Sequence, residues 1–261
     1  MLRTANPALN DRVFRSIPIS ASSSVMTLDG AVNKTSLAIG ITILSAWWAW
    51  SHGLASGQSM ALIIPSIIVA LIISITIIFK NHWAPVLTPL FAIAEGIVLG
   101  VISAMAEAAY PGIVFQAVSL TMGTLVSLLL AYKSNLIPVT ENFKLGVAAA
   151  TGAIFVVYLL NFIFSFFGMP FSFLHSSSLL SIGISCVVVV IAALNLVLDF
   201  DFIEKGAKAG NLPKYMEWYA AFGLLVTLVW LYMEILRPVS YTHLRAHETK
   251  ANLVCRLLLE K

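Results

Sequence analysis

Seven apolar stretches, separated by short polar breaks, run through the chain between residues 36 and 237. The hydrocarbon core of a bilayer is about 30 Å thick, so one helical crossing needs roughly 20 mostly apolar residues. Strands are excluded because open strands in lipid would leave backbone amides unpaired. The pattern predicts an all-α polytopic membrane protein with seven transmembrane helices, at about 36–52, 59–79, 85–107, 112–132, 145–168, 178–202 and 216–237.

Composition supports this class and argues against several others. Charged residues make up 10% of the chain, against about 25% in soluble domains. The net charge of +3 is spread over loops and tails, so we expect no nucleic-acid partner. Cys186 and Cys255 are the only cysteines, which predicts neither a disulfide framework nor a zinc site. The polar N-terminus lacks the apolar core of a signal peptide, so the first crossing is expected to direct insertion.

Basic residues alternate between successive loops. The first, third and fifth loops contain no Lys or Arg, whereas basic residues occupy the N-terminal segment and the other three loops. Cytoplasmic loops are enriched in Lys and Arg, so this alternation predicts a cytoplasmic N-terminus. Seven crossings then place the C-terminus outside. The residues concerned are Arg3, Arg12, Arg15, Lys34, Lys80, Lys133, Lys144, Lys205, Lys208 and Lys214.

Three segments follow from this pattern: a polar cytoplasmic arm at 1–35, a transmembrane domain at 36–237 and a tail at 238–261. The tail changes composition abruptly and resembles translated adapter or frameshift read-through sequence. Its His243 and His247, with Glu248 beside them, superficially suggest a metal pair. We assign the tail no function.

Ionisable side chains at membrane depth cost at least about 2.5–3.5 kcal/mol each, so each needs a reason. On the sixth helix, Ser181, Ser185, Ala192, Asn195 and Asp199 fall within about 40° of one line, which predicts a bundle-facing stripe that ends in a carboxylate. Asp201 lies about 200° from Asp199, which predicts a headgroup or loop position for Asp201. The complete set of candidate acids is Glu95, Glu107, Asp199, Asp201, Glu217 and Glu234.

Three other helices also carry small and polar lines. The first interpretation of such lines is tight helix packing, with Gly96 and Gly100 allowing close contact. Glu107 and Glu217, near helix ends, are expected to be interfacial carboxylates, whereas Glu95 is either a buried acid or part of a conduction path. The lines are Gly96, Gly100, Ser103 and Glu107 on the third helix, Gln116, Gly123 and Ser127 on the fourth, and Ala220, Gly223, Thr227 and Glu234 on the seventh.

The depth of each acidic residue in the membrane decides which of them can contact one another. The predicted topology puts Asp199 and Glu217 at the cytoplasmic level, with Glu234 near the outer face. Two carboxylates that share a site cannot both ionise cheaply, so Asp199 and Glu217 could form a pH-responsive pair. Calcium could replace the shared proton in a weak, transient site, since carboxylate oxygens suit this ion. We expect no permanent cofactor.

Three segments resemble the transmembrane Bax inhibitor motif family, in its bacterial YccA-like branch. They are MTLDGAVNKTSLA (26–38), AYKSNLIPVTENFKLGVAAATGAI (131–154) and LNLVLDFDFIEKGAKAGNLPKYMEWYAAFGLLVTLVWLYMEILR (194–237). The resemblance covers nearly all of residues 1–237. It implies two three-helix layers around a central C-terminal helix, and a stress-related, pH-sensitive calcium leak channel of the bacterial inner membrane.

The resemblance also implies site residues. Asp199 or Asp201 matches the family's acid at the end of the sixth helix. The family's second acid falls near Thr227, which is no carboxylate, so Glu217 could replace it. No basic residue lies inside the second helix, and Lys80 is the nearest.

Two functions from different classes are therefore expected. The first is a cation leak, for calcium or protons, among the third, sixth and seventh helices. Its expected residues are Asp199, Asp201, Glu217, Asn195 and Glu95, with Glu107, Thr227 and Glu234 as secondary candidates. The alternative is a non-conducting regulator that binds a membrane protease or another membrane complex. An enzyme is not expected, because the sequence offers no convincing pair of nucleophile and base.

Overall fold

The structure, a computed structural model, describes the backbone of residues 25–53, 59–169, 171 and 179–259, and side chains within 25–52, 61–169, 171 and 180–240. Arg3, Arg12 and Arg15 of the predicted arm lie outside these ranges, as do the side chains of the tail beyond residue 240. The all-α prediction is confirmed. The described helices are α1 (Leu28–Gly53), α2 (Ser59–Phe79), α3 (Ala84–Ala109), α4 (Ile113–Lys133), α5 (Glu141–Phe166), α6 (Leu179–Ala209) and α7 (Met216–Leu259).

Six of these helices, α2 to α7, contain segments long and apolar enough to cross a membrane. A crossing by α1 stays a prediction. This helix begins at Leu28, well before the start predicted near residue 36, so the end of the predicted polar arm forms its first turns. An antiparallel bridge between Val25 and Pro213 ties the entry to α1 against the loop between α6 and α7.

Local chemistry explains where several helices begin. Pro85 lies in the first turn of α3, where a proline has no helical hydrogen bond to lose. Gly112 precedes α4 with a φ of 87°, a left-handed conformation that glycine adopts without steric cost. Thr140 caps α5, because its hydroxyl accepts a hydrogen bond of 3.2 Å from the backbone N–H of Phe143.

The helix α7 occupies the centre of the bundle. In its span Met216–Ser240, 78% of the most apolar stretch is buried, compared with 6% in α5 and 11% in α2. It contacts α1, α3, α4 and α6. The first three helices pack mainly among themselves and α6 packs with α4 and α5, so two three-helix layers enclose α7 as predicted.

Two helices run past their predicted ends. α6 continues to Ala209 and stops before Gly210, whose φ of 64° places it in the left-handed region. α7 passes through Pro238 without a break and reaches Leu259, so its backbone continues into the tail.

Glycines set the contact between α1 and α3. A Cβ atom added at Gly100 would lie 2.2 Å from the carbonyl oxygen of Ala46, and one at Gly96 would lie 2.4 Å from that of Thr42. Only glycine permits backbones to approach this closely. The packing predicted for Gly96 and Gly100 is confirmed.

The packing face predicted for the fourth helix was wrong. Gln116, Gly123 and Ser127 are exposed on the bundle surface. The buried face of α4 consists instead of Ile113, Ala117 and Thr121. Small side chains alone do not show which face of a helix is buried, and the buried face of α4 includes the larger apolar residue Ile113.

Candidate functional site

The lysine-rich end of the bundle is the end at which α1, α3, α5 and α7 begin and α2, α4 and α6 finish; it carries Lys34, Lys80, Lys133, Lys144, Lys205, Lys208 and Lys214. Here Asp199 is 1% exposed and Asp201 is 5% exposed. The stripe predicted for α6 is confirmed as a buried face, since Ser181, Ser185, Ala192 and Asn195 are also buried.

The headgroup or loop position predicted for Asp201 was wrong. The helix is still regular there, and its last turns are enclosed by α1, α4, α5 and α7. Leu196 to Ile203 are therefore all buried. A rotation of about 200° around such a helix moves a side chain from one neighbour to another and not from the bundle to lipid.

Asp201 lies between two lysines. Its Oδ2 is 3.2 Å from Nζ of Lys144 on α5 and accepts a hydrogen bond of 2.7 Å from Nζ of Lys205. Lys144 is 2% exposed and also donates to Oε1 of Glu141 at 3.1 Å. Burying the charges of Lys144 and Asp201 is costly, so each of them needs charged partners.

Lys144 is a functional candidate that sequence reasoning missed, because it was counted only as a loop charge. The sequence feature that could have identified Lys144 is Thr140. A threonine at the N-cap starts α5 at this point and therefore places Lys144 inside the helix, near its beginning. Lys80, the predicted basic neighbour of the acids, instead lies over the ring of Trp83, with Nζ 4.9 Å from the ring centroid.

Asn195 and Thr151 join α6 to α5 deeper in the membrane. The Asn195 amide donates to Oγ1 of Thr151 and to the carbonyl oxygen of Ile191, both at 2.8 Å. Asn195 is buried. Amide and hydroxyl groups buried at this depth remain there only when they bond to one another or to backbone.

A third polar contact ties α5 to α7 near the far end of the bundle, opposite the lysine-rich end. The hydroxyl of Tyr158 donates to the carboxylate oxygens of Glu234 at 3.0 and 3.2 Å. Arg237 lies 3.3 Å from Oε2 of this carboxylate, and the Trp230 indole donates to Oε1 at 3.3 Å. Glu234, a secondary candidate, is thus a buried, fully engaged acid.

These contacts form what we name the α5 seam: Lys144, Thr151 and Tyr158 on α5, with Asp201, Asn195 and Glu234 as their partners. The three α5 residues recur at intervals of seven, about two helical turns, so they share one face. Apart from this face, α5 is largely exposed. The seam therefore places polar groups at three depths across the membrane.

Glu217 is directed to α1. Its Oε1 accepts hydrogen bonds of 3.0 Å from the backbone N–H and the hydroxyl of Thr27, and its Oε2 accepts one from Nζ of Lys34. A Cβ added at Gly30 would lie 2.2 Å from Oε1, so α1 approaches this carboxylate closely. Glu217 is therefore buried and paired with Lys34, not the water-facing interfacial acid that was expected. Its pairing with Asp199 stays a prediction.

The remaining candidates occupy three different settings. Glu107 accepts the backbone N–H groups of Gly112 and Val114 at 2.6 and 3.1 Å, which satisfies the start of α4. Thr227 is buried and bonds back to the carbonyl oxygen of Gly223 at 3.3 Å. Glu95 is half-buried in the middle of α3.

No group of three or more His, Cys, Asp or Glu side chains that could hold a metal ion occurs among the residues the structure describes. Acids and lysines are instead interleaved at the lysine-rich end, where lysine ammonium groups contact the carboxylates of Asp201, Glu204 and Glu217. Such a cluster can respond to protonation or to an arriving cation, because either one competes with the lysines for the carboxylate.

The family model described as Bax inhibitor 1 like matches residues 6–243. The chain belongs to the Bax inhibitor 1 like family. No curated protein and no solved structure matches the chain. The family match and the six candidate spans together establish a multi-pass membrane protein in contact with the lipid bilayer.

Proposed function

We propose that this protein is a pH-responsive cation leak pathway, with calcium as the principal cargo and carboxylates at the end of α6 as the gate. The observation that carries the proposal is the α5 seam. An ion cannot cross hydrocarbon without polar groups that replace part of its hydration shell. The seam supplies such groups at three depths along one face of α5.

The gate is proposed to be Asp199 and Asp201, with Glu217 at the start of α7 as a third acid at the same end of the bundle. Protonation of Asp201 would remove its attraction for Lys144 and Lys205. The beginning of α5 would then lose its ionic contact with α6, and the seam could widen. Acidification is therefore expected to open the pathway.

We place the proposed ion pathway along the α5 seam. From sequence, the pathway was expected among the third, sixth and seventh helices. Asn195 and Glu234 belong to the seam, whereas Glu95 on α3 does not. A leak requires only weak and transient binding. Asp201, a carboxylate flanked by two lysines, fits this requirement better than a closed calcium cage would.

We further propose that the N-terminus faces the cytoplasm of a bacterial cell, that the C-terminus lies outside, and that the protein acts in the stress response without catalysing a reaction. The lysine-rich end supports this orientation, because Lys and Arg concentrate on the cytoplasmic side. Reporter fusions at each terminus test it; a C-terminal fusion active only in the cytoplasm would contradict it.

The leak is tested with the purified full-length chain in liposomes that contain a calcium indicator. Calcium entry should exceed that of protein-free liposomes, increase at mildly acidic pH, and lose this pH response in Asp199→Asn and Asp201→Asn. Asp29→Asn, which removes an exposed acid on α1, is the matched control and should behave as the wild type.

Two outcomes would overturn the proposal. Flux with a pH response unchanged in both variants would show that these acids are not the gate. Absence of flux in folded, reconstituted protein would favour the alternative, a regulator that binds a membrane protease or another membrane complex.

A further inference from the structure

A cavity of about 530 Å³ lies between α1, α3, α4 and α7, and no residue of the α5 seam lines it. Along α1 its walls extend from Ile39 to Trp50. At 1.5 Å per residue this is a depth of about 16 Å. Half of the hydrocarbon thickness of a bilayer is close to this depth, about 15 Å.

The walls are almost entirely apolar, and most of their hydroxyl groups already have partners. Thr42 and Thr121 donate to carbonyl oxygens of their own helices at 3.0 and 2.8 Å. Ser103 and Tyr232 bond to each other at 2.6 Å across α3 and α7. The interior therefore suits a hydrocarbon chain and provides little for a polar ligand.

The cavity opens to the membrane beside α1. Ile43 and Trp47 line it and yet are 56% and 68% exposed. Trp47 and Trp50 lie near the end of α1, and tryptophan prefers the level of the lipid headgroups. The mouth thus faces lipid, with two indole rings at the level where an acyl chain joins its headgroup.

We propose that this cavity is a specific lipid site, which holds one acyl chain of a phospholipid from the leaflet at the far end of the bundle. The cavity suits such a chain in its depth and its apolar walls. Its hydroxyl groups are already hydrogen-bonded, and it opens sideways toward lipid. The chain would pack against α7 beside the Ser103–Tyr232 contact, and the headgroup would remain at the membrane surface near Trp47 and Trp50.

The test uses the full-length chain reconstituted with a phospholipid that carries a photoreactive diazirine on its acyl chain. Labelled peptides are mapped by mass spectrometry after irradiation. Wild type should be labelled at cavity residues above the level at Phe155, a lipid-exposed residue of α5 outside the cavity. This excess should be lost in Val118→Trp, which fills the cavity from α4.

Val126→Trp is the matched control, since Val126 is also exposed on α4 but does not line the cavity; it should keep the excess. Met122→Trp serves as a second filling variant if Val118→Trp does not fold. Labelling no greater than at Phe155, or unchanged in the filled variants, would overturn the proposal. The proposal would also be overturned if the Ile43→Cys variant formed a disulfide crosslink between two chains while the cavity showed no lipid labelling, because a second chain would then occupy the site.

Discussion

Nζ of Lys144 on α5 lies 3.2 Å from Oδ2 of Asp201 on α6, with both side chains buried. This contact joins one of the least buried helices of the bundle to a helix that packs directly against α7. A buried charge that loses its partner is strongly destabilising. The stability of this end of the molecule should therefore depend on the pair as a unit.

Asp201→Asn and Lys144→Met should each lower the free energy of unfolding, but by less than the roughly 3–5 kcal/mol expected for a buried charge left without any partner. Lys205 still contacts Asp201 in one variant, and Glu141 still contacts Lys144 in the other. The double variant should recover part of this loss. Denaturant titration in mixed micelles measures all three. Lys208→Met, which removes a lysine that is 73% exposed, should change stability by less than about 1 kcal/mol. Strictly additive losses would contradict the coupling.

Glu217→Gln should loosen the beginning of α1. The amide can still accept a hydrogen bond from Thr27, but the attraction to Lys34 is lost. Backbone amides in the first turns of α1 should then exchange hydrogen faster, as measured by mass spectrometry. Asp29→Asn alters an exposed acid in the same turns and should leave exchange unchanged. Equal exchange in the wild type and Glu217→Gln would show that the ion pair does not hold this segment.

Gly100→Ala should destabilise the contact between α1 and α3. The added Cβ would lie 2.2 Å from a backbone oxygen of Ala46, and a backbone atom cannot move aside as a side chain can. Overpacking of this kind costs about 1–3 kcal/mol. Gly123→Ala on α4 meets nothing within 4 Å and should be neutral or stabilise by up to about 1 kcal/mol. Thermal unfolding compares the two; the opposite order would refute the packing argument.

Tyr158→Phe should release the far end of α5 from α7. Glu234 would keep Trp230 and Arg237 but lose the hydroxyl donor from α5. Loss of a donor to a buried carboxylate costs about 1–3 kcal/mol. Hydrogen exchange in the second half of α5 should increase. Tyr110→Phe alters a tyrosine at the end of α3 and supplies the comparison; equal effects in both variants would contradict a specific role for Tyr158.

The helix count and the all-α class follow from sequence, since hydrocarbon permits few alternatives. The central position of the last helix was expected only from the family resemblance. Helical periodicity also identified the buried stripe from Ser181 to Asp199, because the residues that share one face of a helix follow from the geometry of that helix alone. The same rule misplaced Gln116 and Asp201. Their surroundings depend on neighbouring helices, which a single-helix argument does not contain.

By itself, the sequence determined that the chain crosses a membrane repeatedly and that acids lie near the end of α6, because the cost of burying polar groups in lipid acts on each segment alone. Only the tertiary structure decided the partners. Lys144 meets Asp201, Lys34 meets Glu217 and Tyr158 meets Glu234. Each pair joins residues more than fifty positions apart, so the packing of the helices, and not any local pattern, brings them within bonding distance.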